Sequence, residues 1–476
     1  MFEKIAFALP DKSDPRYSLA MADYVTCRIL SFMVILLILV CIYKVIFKKP
    51  GREAILSVVK YGLFYLPVII AALVIKLPGG FVTNDEYSIL NDAVNVIHDT
   101  WFNFMTVYFY IISLMLIPVK CGPIIVKAAI EFIVVGYSVY RAKSYYGRAG
   151  FFTYALFLLY PFIAYTTSAH RLPVYFLIYL AIIVKLLFDK LEKKDITFAG
   201  AAFLLFFGAV LTQWRTEGIY LLALIPILML LVYPRLRKFK YILLILASYV
   251  AIQAVLYIPQ NGAFGNNLSG AANDRMKPFW AYTITNMFRN GLDLEKNAED
   301  LAIVDKYLSL DVIRDINEHY GDINYEDVLI LYQDGFIGVR EEAGDKEFYD
   351  YSEALKRIFK NNPDVFLRTR WGAFCYAAMP FRFSLGLSAV KSIAYNLFIP
   401  TVFAALLCLY SLIKRRWFSF FTAGGLICHW FIVFILAPAS YFKYYFPVYI
   451  TSYLFIVLLV IWGIWGRRER KSSPVV

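Results

Sequence analysis

The chain is poor in the residues from which metal knuckles and disulfide frameworks are made. Its six cysteines (Cys27, Cys41, Cys121, Cys375, Cys408 and Cys428) are scattered through or beside apolar runs, and no two form a Cys-x-x-Cys pair. They read as small packing residues rather than as ligands or bridges. The histidines His98, His170, His319 and His429 stand far apart, so a His-x-x-x-His zinc pair is absent. No internal repeat, low-complexity linker or apolar leader with a small-residue cleavage site is evident either. Acidic residues are outnumbered, 35 against 48 basic ones, for a formal net charge of +13. That excess does not point to nucleic acid, because the cations collect in short loops between apolar runs, as they do at a cytoplasmic membrane surface.

Apolar residues, by contrast, make up 60% of the chain and aromatics 18%, above what a soluble globule carries. Runs long enough to cross hydrocarbon as helices lie at about 27–47, 56–76, 123–140, 151–166, 172–188, 197–213, 218–233, 241–258, 393–413, 417–437 and 446–466. The expectation is an all-α polytopic membrane protein with about 11 crossings. Residues 101–118 are shorter, aromatic-rich and end in proline. Counting them as a crossing would move every later basic loop to the other side of the membrane, so they are expected to form an interfacial helix. The basic loops around Lys48, Arg141, Lys190, Arg235, Lys414 and Arg467 then share the cytoplasmic side. Three parts follow: a transmembrane module (1–258) with a first outer loop at 77–101, a mostly helical extracytoplasmic insertion (259–392), and C-terminal transmembrane helices (393–476). The chain is expected to be multi-pass in the cell membrane.

The first outer loop, LPGGFVTNDEYSILNDAVNVIHDTW, contains no lysine or arginine, yet Asp85, Glu86, Asp92, His98 and Asp99 fall within it. Charges packed between apolar runs are costly at a membrane unless something uses them. Asp85 and Glu86 follow a Gly-Gly pair and are expected where the chain emerges and turns, as the chemical centre of a membrane enzyme. Asn84-Asp85 also suits the cap of a helix over 86–99, whose acidic first turn fits the helix dipole. Capping needs only one carboxylate, so the two readings are compatible. The adjacent pair also offers oxygen ligands to Mg²⁺ or Mn²⁺.

Isolated cations stand at the other outer turns: His170-Arg171, Arg215 beside Glu217, and Lys443 among tyrosines. Snorkelling explains any one of them. Together they offer positive charge at headgroup depth, which suits a phosphate on a lipid carrier. Carboxylates opposite such cations are what moving a sugar off a phosphate leaving group requires.

The order of these features resembles the GT-C superfamily of multi-span glycosyltransferases, in particular its bacterial cell-surface polysaccharide branch. The matching features are Asn84-Asp85-Glu86 in the first outer loop, an aromatic helix after it (Trp101–Pro118) and an outer turn at Thr166–Pro173. The run Trp214-Arg215-Thr216-Glu217-Gly218-Ile219-Tyr220, an outer insertion and a late Tyr-Phe-Lys-Tyr-Tyr complete the order. The resemblance implies a polyprenyl-phosphate sugar donor and a glycan or lipid acceptor. Asp85 would be catalytic base or metal ligand, and Arg215 and Lys443 phosphate contacts. Two alternatives stand beside it: a polysaccharide polymerase or ligase using an undecaprenyl-diphosphate-linked glycan, and a flippase of lipid-linked oligosaccharide. A transporter is expected to carry polar residues at mid-bilayer depth, whereas here they are expected at span ends.

Overall fold

The computed structural model describes residues 2–76, 84–97, 103–166, 172–264, 268–319, 338–340, 342–379, 387–437 and 440–472. His98, Asp99, His170 and Arg171 lie outside them, as do most of the Thr166–Pro173 turn and residues 77–83. The described residues are helical, and they fall into two compact units. The first comprises Met1–Asn266, Ile399–His429 and Phe446–Val476; the second comprises Asn267–Phe398 and Trp430–Tyr445.

By length and composition, eight helices among the described residues can cross a membrane. The difference from about 11 lies in three runs. Phe198–Trp214 and Thr216–Val232 are apolar but shorter than the rest, at the lower limit for spanning hydrocarbon. Residues 151–166 are not one helix: a 3-10 turn (Gly147–Thr153) leads into α6 (Tyr154–Phe157), and a separate helix, α7, covers Tyr160–Thr166. The chemistry of the break is local. Pro161 has no N–H to give the carbonyl of Phe157 four residues back, and the Tyr65 hydroxyl donates to that carbonyl instead, at 2.8 Å.

In the first unit, α1 (Tyr17–Ile46) packs on α4 (Phe104–Leu116), α2 (Arg52–Lys76) on α5 (Gly122–Tyr146), and α5 on α8 (Leu172–Leu191). α2 and α5 approach closely because Gly136 has no side chain; a Cβ there would stand 2.2 Å from the Val58 carbonyl oxygen. Small residues at such crossings bring helix backbones together inside a membrane. α1, by contrast, buries little against the rest of the chain, as expected of a helix that faces lipid.

α4 departs from the interfacial reading. Its 13 residues span about 20 Å at ~1.5 Å each, too short for hydrocarbon about 30 Å thick. Yet Phe104, Val107, Tyr110, Ile111 and Leu114 are all fully buried, between α1, α3 (Asn84–Asn95), α5 and α9 (Phe198–Trp214). It has no polar face with which to lie on a surface. The Asn103 side chain caps its first turn by accepting from Met105 N at 3.1 Å.

The second unit is a packed helical body. Its helices include Leu268–Arg289, Ala298–Val304, Leu310–His319, Asp345–Asn361 and Pro363–Ala378. Asn297 and Asn362 pair inside it at 2.9 Å. Asp305 accepts from the Leu310 backbone N–H at 2.8 Å and pairs with Arg340 at 2.8 Å, fixing the start of the Leu310–His319 helix.

Candidate functional site

α3 carries the acidic motif, and its burial pattern separates the two carboxylates. Glu86, Ile89, Leu90 and Ala93 are buried at helical spacing and form the face packed on α4. Glu86, 1% exposed, opens that stripe. Asp85, one residue earlier, is turned by about 100° and stays partly exposed. Asp92, two turns beyond Asp85 on the same side, is buried. Consecutive residues on a helix do not face each other, so the two carboxylates leave α3 in different directions. No group of three or more metal-ligating side chains occurs among the described residues. No step below uses a metal.

α3 ends where Val96 takes φ 51°, a left-handed conformation that a β-branched residue rarely adopts. Its side chain is buried and the Ile97 N–H bonds back to the Asp92 carbonyl at 2.9 Å. The N-terminal segment lies against the same region: Ala8 N donates to Val94 O at 2.9 Å, and Ile5 N to Pro118 O at 3.1 Å.

The Trp214–Tyr220 run is a tight turn between two apolar helices. Arg215 Nη2 meets Glu217 Oε1 at 2.5 Å, and Arg215 Nε lies 3.1 Å from Glu217 Oε2. Gly218 N donates to Arg215 O at 2.9 Å. A Cβ on Gly218 would stand 2.5 Å from the Leu211 carbonyl oxygen, so only glycine lets the turn fold back onto α9. Trp214 packs on Phe109 at 5.9 Å, and Tyr220 meets the His429 ring edge-on at 5.7 Å. Much of this motif thus builds the turn, and Arg215, itself buried, is held by Glu217 two residues on.

Lys443 belongs to the second unit, in the 3-10 turn Phe442–Tyr445. Its ammonium lies 4.7 Å from the Tyr441 ring centre and 5.8 Å from that of Tyr444.

Three clusters were not anticipated from the sequence. On α5, Lys127 and Glu131, one turn apart, are buried within a candidate span. Glu131 lines a narrow cleft, too tight for a water molecule, with Tyr65, Val68, Ala72, Ala128 and Ile163. Asp23 on α1 is buried and accepts from the Tyr108 hydroxyl of α4. Polar groups are therefore not confined to span ends, which corrects the argument made against transport. The visible signal was two charges inside the 123–140 run.

The second cluster is an ion network around Arg141, a residue read only as part of a basic loop. Asp189 accepts from Arg141 at 2.8 Å, Lys185 at 2.6 Å and the Tyr233 hydroxyl at 2.5 Å, with Glu192 3.4 Å from Arg141. It ties α5 and α8 to the end of α10 (Leu221–Val232).

The third lies in the second unit. Arg370 is 1% exposed on the stripe formed with Phe374 and Ala377. Its Nε donates to the Phe434 carbonyl at 2.7 Å and its Nη2 to the Ala437 carbonyl at 2.8 Å. These carbonyls close the Trp417–Leu436 helix, so Arg370 caps it with a cation. An arginine on an apolar stripe was the missed signal.

Comparison with protein-family models, with curated proteins and with solved structures finds no match to this chain.

Proposed function

We propose that the chain is a membrane glycosyltransferase of the GT-C type, inverting, moving a sugar from a polyprenyl-phosphate donor to a glycan or lipid acceptor at the outer face of the cell membrane. The observation that carries this reading is the division of labour on α3. Glu86 anchors the helix through its buried face, while Asp85 is partly exposed beside it. A carboxylate on a rigid helix, next to a packed apolar bundle, suits a general base for an acceptor hydroxyl.

In the reaction, the acceptor oxygen bonds to the anomeric carbon as the carbon–oxygen bond to the donor phosphate breaks. The hydroxyl proton passes to the Asp85 carboxylate, and the electron pair leaves with the phosphate. Arg215, whose guanidinium forks onto Glu217, supplies positive charge for the departing phosphate. His170, Arg171 and Lys443 enter only as sequence-based expectations of further phosphate contacts.

The experiment is to reconstitute the chain in liposomes with a radiolabelled polyprenyl-phosphate sugar and measure release of polyprenyl phosphate. Acceptor-dependent release supports the reading; an intact donor under all acceptors opposes it.

One observation favours a second reading, movement of lipid-linked oligosaccharide across the bilayer: the buried Lys127 and Glu131 within a span. Intramembrane charges mark transport pathways in many carriers. Loss of lipid-linked oligosaccharide translocation in Glu131→Gln, with transfer unaffected, would select it.

A further inference from the structure

α10 and α11 (Phe239–Phe264) are joined by the short turn Pro234–Arg237, and an open groove of about 220 Å³ runs between them. Leu222, Ala223, Pro226 and Leu230 line one side, and Ile242 and Leu246 the other. Two features keep it open. Ala223 offers little bulk, and Pro226 cannot donate to the Leu222 carbonyl, which loosens the helix there. Its outer neighbours on α11, Leu243 and Leu244, are exposed and apolar, so the groove faces hydrocarbon.

One end of the groove is charged. Leu230 and Ile242 lie nearest the connecting turn, and the chain between them carries Arg235, Arg237, Lys238 and Lys240. All four are exposed. Arg237 is already engaged, donating to the Leu230 carbonyl at 2.9 Å and capping α10. Lys240 lies 5.1 Å from the centre of the Tyr241 ring, and Arg235 lies beside the same tyrosine. Phe239, 75% exposed among these cations, offers a ring to the interface. An apolar groove along the hydrocarbon, with cations and aromatics at its mouth, is complementary to a chain with an anionic head.

We infer that this groove holds one anionic phospholipid, its acyl chain along α10 and α11 and its phosphate on Arg235, Lys238 and Lys240. The basic turn belongs to the loops assigned to the cytoplasmic side, so the lipid comes from the inner leaflet. The site is independent of the transfer reaction and of Asp85.

The test is lipid retention by the full-length protein. Purified from phosphatidylglycerol/phosphatidylcholine mixtures and washed in mild detergent, the wild type is expected to keep phosphatidylglycerol selectively, as read by mass spectrometry. Neutralising three cations (Arg235→Gln, Lys238→Gln, Lys240→Gln) while keeping the Arg237 cap should weaken retention on the order of a hundredfold. Ala223→Phe, which fills the groove and leaves every charge in place, should also abolish selectivity. Millimolar glycerol phosphate should not displace the lipid, because the groove holds its chain. Three results would overturn the inference: no preference over phosphatidylcholine in the wild type, undiminished retention in Ala223→Phe, or a retained isoprenoid phosphate in place of phospholipid.

Discussion

At the level of single residues, Asp85 and Glu86 are adjacent in sequence and differ in burial, Glu86 enclosed and Asp85 partly exposed. Glu86 is spent on packing, so Glu86→Gln is expected to lower the melting temperature of the detergent-solubilised protein. Loss of a buried acceptor's partners costs about 1–3 kcal/mol. Asp189 makes a sharper case, because it holds Arg141, Lys185 and Tyr233 together in a buried site. Asp189→Ala should destabilise by about 3–5 kcal/mol, the typical cost of stranding a buried charge, seen as a large drop in the thermal melt. Arg215→Lys keeps the charge but loses the fork onto Glu217; donor use should fall while the fold survives. At this scale the sequence was least legible. Nothing about Arg141 as a letter in a basic loop reveals that it points inward to Asp189, and Arg370 looks like any other cation until the stripe around it is seen. Asp85, by contrast, could be picked out, because charge inside an apolar run is conspicuous.

At the level of elements, hydrophobic runs located most spans within a few residues, since the need to hide backbone polar groups leaves helices as the solution in hydrocarbon. They could not show where a run breaks. Residues 151–166 look continuous by composition, and the break depends on Pro161 together with the Tyr65 hydroxyl, 92 residues apart from the carbonyl it satisfies. Tyr65→Phe removes that donor and leaves the Phe157 carbonyl orphaned. It should destabilise by about 1–3 kcal/mol, measured by thermal unfolding. The status of α4 was likewise hidden: its length was readable, but the burial of most of its residues depends on which helices surround it. In the second unit, burial raises the Asp305 carboxyl, but the Leu310 N–H and Arg340 outweigh this and hold it below its ordinary value of 3.8. A lowered carboxylate gives stability above about pH 4 that fades as pH falls through its folded value. Asp305→Asn should therefore flatten the acid limb of the stability curve, followed by circular dichroism from pH 5 to 2.

At the level of the whole molecule, membrane class was legible from composition alone, and the distribution of lysine and arginine makes the side assignment a prediction. Cysteines placed singly at 85 and at 238 should label in opposite ways from outside intact cells: modification at 85 and protection at 238. The reverse pattern would place the acidic turn in the cytoplasm and remove the outer-face donor from the proposal. The central claim is that the partly exposed Asp85 carboxylate does chemistry and the buried Glu86 does not. The most direct measurement compares transfer in liposomes by the wild type, Asp85→Asn and Glu86→Gln, each normalised to folded protein by its thermal melt. Transfer lost in Asp85→Asn at an unchanged melting temperature, with Glu86→Gln less stable but active per folded molecule, is the predicted result. Normal transfer in folded Asp85→Asn would contradict it and reduce Asp85 to the cap of a helix.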